Sequence, residues 1–288
     1  MATRFWDMVE ARQIEASSLV CVGLDSDFVQ IPEFLKKSLD PDEAIFAFNR
    51  AIIDMTRDLV CAYKLNWAFY LVHGAKGLQC LYDTIAYIHR TAPTVPVILD
   101  AKFGDIGNSN EDYAKTAFDC LGADAVTVSP YVGGLALKPF LEREDKGVIV
   151  LARTSNPGAE EFQDRLVTED GEPQCFYVAK QVANVWNEKG NCGIVVGATR
   201  PEELGLIRLL VGDLPILVPG IGAQGGDIKA TVGAGMDSNR RGMMINSSRG
   251  IIFASDKEDF AAVAREEAIK LRDAINFYCE EVGHEENG

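Results

Sequence analysis

Histidine is scarce in this chain. Only His73, His89 and His284 occur, they do not cluster, and none falls at the end of a β-like run, so a histidine-based metal centre is not expected. No CxxC occurs among the seven cysteines, whose odd number and wide spacing disfavour a disulfide framework or a zinc ribbon. Cys21 and Cys61 lie inside apolar runs, where a buried, inert thiol is expected. Long hydrophobic runs are missing too: no stretch reaches the roughly 20 apolar residues that span a bilayer. Residues 1–15 are charged from the start and carry no apolar signal segment. Together these absences lead us to expect a reduced, cytoplasmic protein. Positive charge is in short supply, with 28 Lys+Arg against 43 Asp+Glu, net −15. Such a surface repels nucleic acid and anionic membranes, and neither is expected as a partner. It would repel an anionic metabolite as well, so an enzyme for one must gather its few cations in a single pocket.

What is present is a repeating order. Eight short, nearly continuous apolar runs recur: 19–24, 60–65, 95–99, 125–128, 148–151, 193–196, 216–218 and 243–245. Such runs suit parallel strands covered on both faces. Amphipathic segments separate them. One opens at Pro41-Asp42-Glu43, with proline and acids in its first turn. Eight β-then-α units predict an α/β protein, a (β/α)8 TIM barrel. An open doubly wound sheet is the runner-up, weakened because no GxGxxG follows the first run. The whole chain, 1–288, is read as one domain. Residues 1–17 are expected to form an extra helix under the barrel, 156–172 to extend the fifth βα loop, and 280–288 to fray.

The active site of such a barrel lies where its strands end. Strand two ends at Lys64-Leu65-Asn66 and strand three at Asp100-Ala101-Lys102, with Asp105 just beyond. Asp100 and Lys102 are two apart and share a face of a regular strand. Unpaired charges there would cost several kcal/mol each, roughly, so two lysines and two aspartates are expected to compensate one another. A structural salt-bridge network is the bland alternative. A glycine-rich run, Gly220 to Gly226, follows strand seven, and Arg249 follows strand eight; both suit a phosphate. A two-aspartate Mg²⁺ site is a further alternative, against which Lys102 competes for the same charge.

These residues resemble the orotidine 5′-phosphate decarboxylases. Asp100-Ala101-Lys102-Phe103-Gly104-Asp105-Ile106 is similar to that family's DxKxxDI motif. Cys21 to Asp25, Lys64-Leu65-Asn66, Thr154 to Ala159, Pro219 to Asp227 and Ser247-Ser248-Arg249 resemble its other strand ends. The resemblance spans Cys21 to Arg249. Related Mg²⁺-dependent sugar-phosphate barrels tend to carry an acid where Lys64 stands. The resemblance implies a cofactor-free, metal-free decarboxylation of orotidine 5′-monophosphate to UMP. It implies that Lys102 stabilises and then protonates C6, that Asp100 lies by the substrate carboxylate, and that Lys64 completes the array. By the same resemblance Asp25 and Asn66 contact the ribose, Ser155 the pyrimidine, and Gln224 and Arg249 the phosphate. Asp105 and Ser109 are implied to reach the ribose in a neighbouring subunit, making the site a property of a homodimer. Ser109 departs mildly from the family, which often has Thr there; the hydroxyl is kept.

Overall fold

A computed structural model describes residues 3–169, 171–221 and 226–285. Eight parallel strands close into a barrel in sequence order: β1 (Val20–Gly23), β2 (Ala62–Asn66), β3 (Val97–Phe103), β4 (Ala125–Val128), β5 (Gly147–Arg153), β6 (Cys192–Val196), β7 (Ile216–Pro219) and β8 (Met243–Ser247). β8 pairs back onto β1, with Cys21 opposite Asn246, so no edge is left open. Each strand is buried along most of its length, which is why the apolar runs do not alternate.

The core has two layers. The outer one lies between strands and helices and contains Val22, Phe48, Leu99, Val126 and Ile194 among many others. The inner one fills the barrel with Cys21, Ala62, Ile98, Ala125, Ile149, Val195, Leu217 and Met244. Phe5 and Val9 of the N-terminal helix, Phe5–Ala16, join this inner layer and plug its lower end. Gly147 makes room for the plug: a Cβ there would stand 2.2 Å from the Phe5 ring. The helix expected from residues 1–17 is therefore a cap on the barrel floor.

Local signals account for several helices. Pro41 opens the helix Pro41–Thr56, and Glu43 turns back to accept the Asp40 N–H at 3.1 Å. Asp227 caps the helix Ile228–Gly235 by accepting the Ala230 N–H. The fifth βα loop is extended as expected, running from Thr154 to Pro173 with one helical turn, Glu160–Gln163, and a bridge between Leu166 and Pro173. One expectation needs correction. The last helix is Phe260–Glu285, so 280–285 are helical where a frayed tail was expected, and 286–288 of that tail lie outside the described residues. Cys279, just before this stretch, is half-buried, and Glu281 pairs with Lys229 at 3.2 Å. No helix of the described residues is long and apolar enough to cross a membrane. All seven cysteines are unpaired, and five are buried.

Candidate active site

The strand ends open onto one cavity of about 510 Å³. Its floor is the top of the inner core, Leu151, Val195 and Leu217. Charge is concentrated on the β1–β3 side. Lys64 is almost fully buried, and its Nζ lies 3.2 Å from Asp25 Oδ1 and 3.3 Å from Asp100 Oδ2. Asp100 Oδ1 accepts from Lys102 Nζ at 2.6 Å and from Thr127 Oγ1 at 2.8 Å. The result is a chain, Asp25–Lys64–Asp100–Lys102, of alternating sign.

Its fourth member differs from the one expected. Asp105 has no ion-pair partner among the described residues and does not line the cavity; Asp25 takes that place. The backbone explains the difference. Beyond Phe103 the chain turns outward, and the buried Asn110 fixes the turn by accepting the Asp105 N–H and donating to the Asp105 and Ala136 carbonyls. Asp105 and Ser109 are thus held on the outer rim. Asp100 and Lys102 also meet by a route other than simple alternation. The β3–β4 register shifts between Leu99 and Phe103, and Lys102 has φ 51°, the left-handed region. For a residue with a Cβ this costs about 1–3 kcal/mol. The shift turns the Lys102 side chain back to Asp100, while its N–H donates to Thr127 Oγ1 at 2.9 Å.

Burial by itself would raise the Asp100 carboxyl, but Lys64, then Lys102, then hydrogen bonds from Lys102 and Thr127 overcome it, and its pKa falls to about 2. Burial would likewise lower the Lys64 pKa; Asp25 and Asp100 reverse this and push it above the ordinary lysine value. A carboxyl with a depressed folded pKa stabilises the fold above its unfolded value of 3.8, and that contribution is lost as pH falls toward 2. Asp100→Asn abolishes this titration. In urea titrations, the stability gap between wild type and Asp100→Asn should shrink by about 2 kcal/mol between pH 4 and pH 2. A gap that stays constant over that range would contradict the buried, doubly paired state.

Across the cavity stand Gly220, Ile221, Ser248 and Arg249. Arg249 is exposed at the mouth and has no ion-pair partner among the described residues. Its guanidinium is open to an anion. Gln224 lies outside the described residues. Asn66, Ser155 and Asp25 line the cavity. Two further side chains, to which the sequence reading gave no role, join the site. Thr127 is the one polar side chain of β4. Ser248 Oγ donates to Asp25 Oδ2 at 2.8 Å, so Asp25 is held between β2 and the end of β8. Gly23 permits this contact, since a Cβ there would stand 1.9 Å from Ser248 Oγ. Thr127 has a signal, a lone hydroxyl in an apolar run; Ser248 stands in the strand-eight end, but its bond to Asp25 has no signal in the sequence. Among the described residues no group of three or more His, Cys, Asp or Glu side chains could hold a metal ion.

Residues 18–263 match the model of the orotidine 5′-phosphate decarboxylase / HUMPS family. The chain belongs to this family. An orotidine 5′-phosphate decarboxylase of Ralstonia pickettii is 50% identical over 273 residues, covering 95% of this chain and 98% of its own. One from Aromatoleum aromaticum is 53% identical over 261 residues, covering 90% and 94%. Among solved structures, a putative orotidine-monophosphate decarboxylase from Toxoplasma gondii superposes with a TM-score of 0.88 at 36% identity, covering 98% of both chains. The Leishmania donovani OMP decarboxylase gives 0.83 at 35%, covering 97% and 99%.

Proposed function

We propose that this member of the family decarboxylates orotidine 5′-monophosphate to UMP and CO2 in pyrimidine biosynthesis, without a metal or organic cofactor. The observation that carries the reading is the alternating Asp25–Lys64–Asp100–Lys102 chain facing an open arginine across one cavity. Roughly 300–1,000 Å³ is the usual range for a small-molecule site, and about 510 Å³ falls within it. Arg249, with Gln224, would grip the phosphate; Asp25, Lys64 and Asn66 would meet the ribose; Ser155 would meet the pyrimidine.

The reaction breaks the bond from C6 to the carboxyl carbon and leaves the electron pair on C6, in the ring plane, where no π system can spread it. Stabilisation must come from charge that is already in place. Lys102 Nζ supplies it, held by Asp100 against its own desolvation. The same ammonium then transfers a proton to C6, giving UMP and a neutral amine that regains its proton from water. Because the charge on C6 exists only as the bond breaks, this interaction lowers the barrier more than it tightens ground-state binding.

The proposal includes a homodimer with shared sites. Asp105 and Ser109 lie on the rim, next to exposed apolar groups: Ile106, 67% exposed, and Leu135, 87% exposed. A groove between the helices Asn108–Lys115 and Gly134–Leu141 adjoins them. A second copy that covered this face would bury those side chains and bring Asp105 to its neighbour's cavity. A cytoplasmic location completes the proposal, in keeping with seven unpaired thiols.

The deciding assay is the absorbance change when orotidine 5′-monophosphate is added to protein dialysed against EDTA. Rapid decarboxylation, unchanged by added Mg²⁺, is the expected result. Activity that returned only with a divalent cation would favour a metal-dependent sugar-phosphate reaction instead.

A further inference from the structure

Arg153 is the last residue of β5, is 1% exposed, and does not line the cavity. Its side chain points into the layer between barrel and helices, where a lone guanidinium would cost several kcal/mol, roughly. Two carboxylates meet it. Asp164 Oδ1 lies 2.6 Å from Nη1, and Glu203 Oε2 lies 2.6 Å from Nε. Glu203 also accepts from Nη2 at 3.3 Å, and Arg200 pairs with Glu203 at 3.0 Å, so two positive and two negative groups balance. The three anchoring groups come from three places: the end of β5, the extended fifth loop, and the first turn of the helix Pro201–Val211 that follows β6.

The fifth loop is tied from its other side as well. Gln163, the neighbour of Asp164, lines the cavity, accepts the Thr154 N–H at 2.9 Å and donates to Thr154 Oγ1 at 2.8 Å. Thr154 in turn donates to Asn156 Oδ1 at 2.7 Å. Residues 154–163 therefore form a closed ring that leaves the barrel at Arg153 and returns at 163–164. Gln163 closes the ring inside the cavity, and Asp164 fastens it behind. Ser155 and Asn156, which form this wall of the cavity, sit on the ring.

We propose that Arg153, Asp164 and Glu203 are positioning residues that fix the fifth-loop wall against the substrate's base; this rests on the decarboxylase reading only for what the wall faces. The triad does not touch substrate. It sets where Thr154, Ser155 and Asn156 stand. The guanidinium suits the task because its N–H groups spread in one plane, so that Nη1 faces Asp164 while Nε and Nη2 face Glu203.

The test uses the full chain and two readouts. Asp164 is the exposed partner, so Asp164→Ala is the variant that keeps the fold. In amide hydrogen exchange, Asp164→Ala should speed exchange of Thr154 and the rest of 154–163 by about tenfold or more, with β1–β3 unchanged. Unchanged exchange in that ring, or a uniform rise across the barrel, would overturn the proposal. In kinetics, Asp164→Ala and Ser155→Ala should each lower kcat/KM by about tenfold, and the double variant should be no worse than the worse single one, because both act through one wall. Losses that multiply would overturn it too. A wild-type protein that fails to turn over orotidine 5′-monophosphate would sink the decarboxylase reading, and the exchange experiment would still decide the role of the triad.

Discussion

Lys102→Ala should lower decarboxylation by at least about 10³-fold while leaving the melting temperature within a few degrees of wild type. Both halves follow from the same geometry. Lys102 is the more exposed cation of the array; its side chain is 46% exposed, whereas that of Lys64, which also lines the cavity, is 4% exposed. Truncation removes both the charge beside C6 and the proton that C6 receives. The fold loses little. Asp100 keeps Lys64 at 3.3 Å and Thr127 at 2.8 Å, so its charge is not stranded. The backbone at φ 51° is strained whichever side chain it carries, and Lys102→Gly would relieve that strain. Lys102→Gly should therefore be as inactive as Lys102→Ala and at least as stable. Steady-state kinetics and thermal denaturation on the three proteins check this. Near-wild-type turnover in either variant would remove Lys102 from the chemistry. A large fall in melting temperature would make the array a structural network, the bland alternative.

The contrast between charged strand ends and cross-barrel contacts explains how much of the site is legible in the sequence. Charges on strands that are otherwise apolar have few ways to be accommodated, so Lys64, Asp100 and Lys102 stand out from their neighbours in the chain. The eight strands are legible for a related reason: burial on both faces forces continuous apolar runs. Contacts made only when separate strands come together are not legible. Ser248 reaches Asp25 across 223 positions, and Thr127 reaches Asp100 across 27. Neither pairing leaves a local trace. The Arg153 triad has the same character, since Asp164 and Glu203 are ordinary surface acids until the fold brings them to β5. Asp105 follows Lys102 so closely that proximity in the chain suggests a place in the array; the turn held by Asn110 takes it to the rim instead.

That outward turn leads to the other large effect. Asp105→Ala and Lys102→Ala should each be nearly inactive alone, and mixing them should restore about a quarter of wild-type activity. The arithmetic follows from a shared site. If each cavity takes Lys102 from one subunit and Asp105 from the other, a hybrid dimer contains one doubly altered cavity and one that is fully native. Random exchange makes half of the dimers hybrid, so about one cavity in four is intact. Within one chain, Asp105 bonds only locally, its Oδ1 accepting the Ile106 N–H at 2.7 Å, and it has no role there that would explain inactivity. Ile106, Tyr131 and Leu135 are 67%, 83% and 87% exposed, so a single chain leaves this face apolar and open. The experiment mixes the two variants under conditions that permit subunit exchange, follows exchange with a labelled chain, and then measures decarboxylation. Recovery to about a quarter would place Asp105 in its neighbour's cavity. Complete exchange with no recovery would confine each site to one chain and leave Asp105 with a role in folding alone.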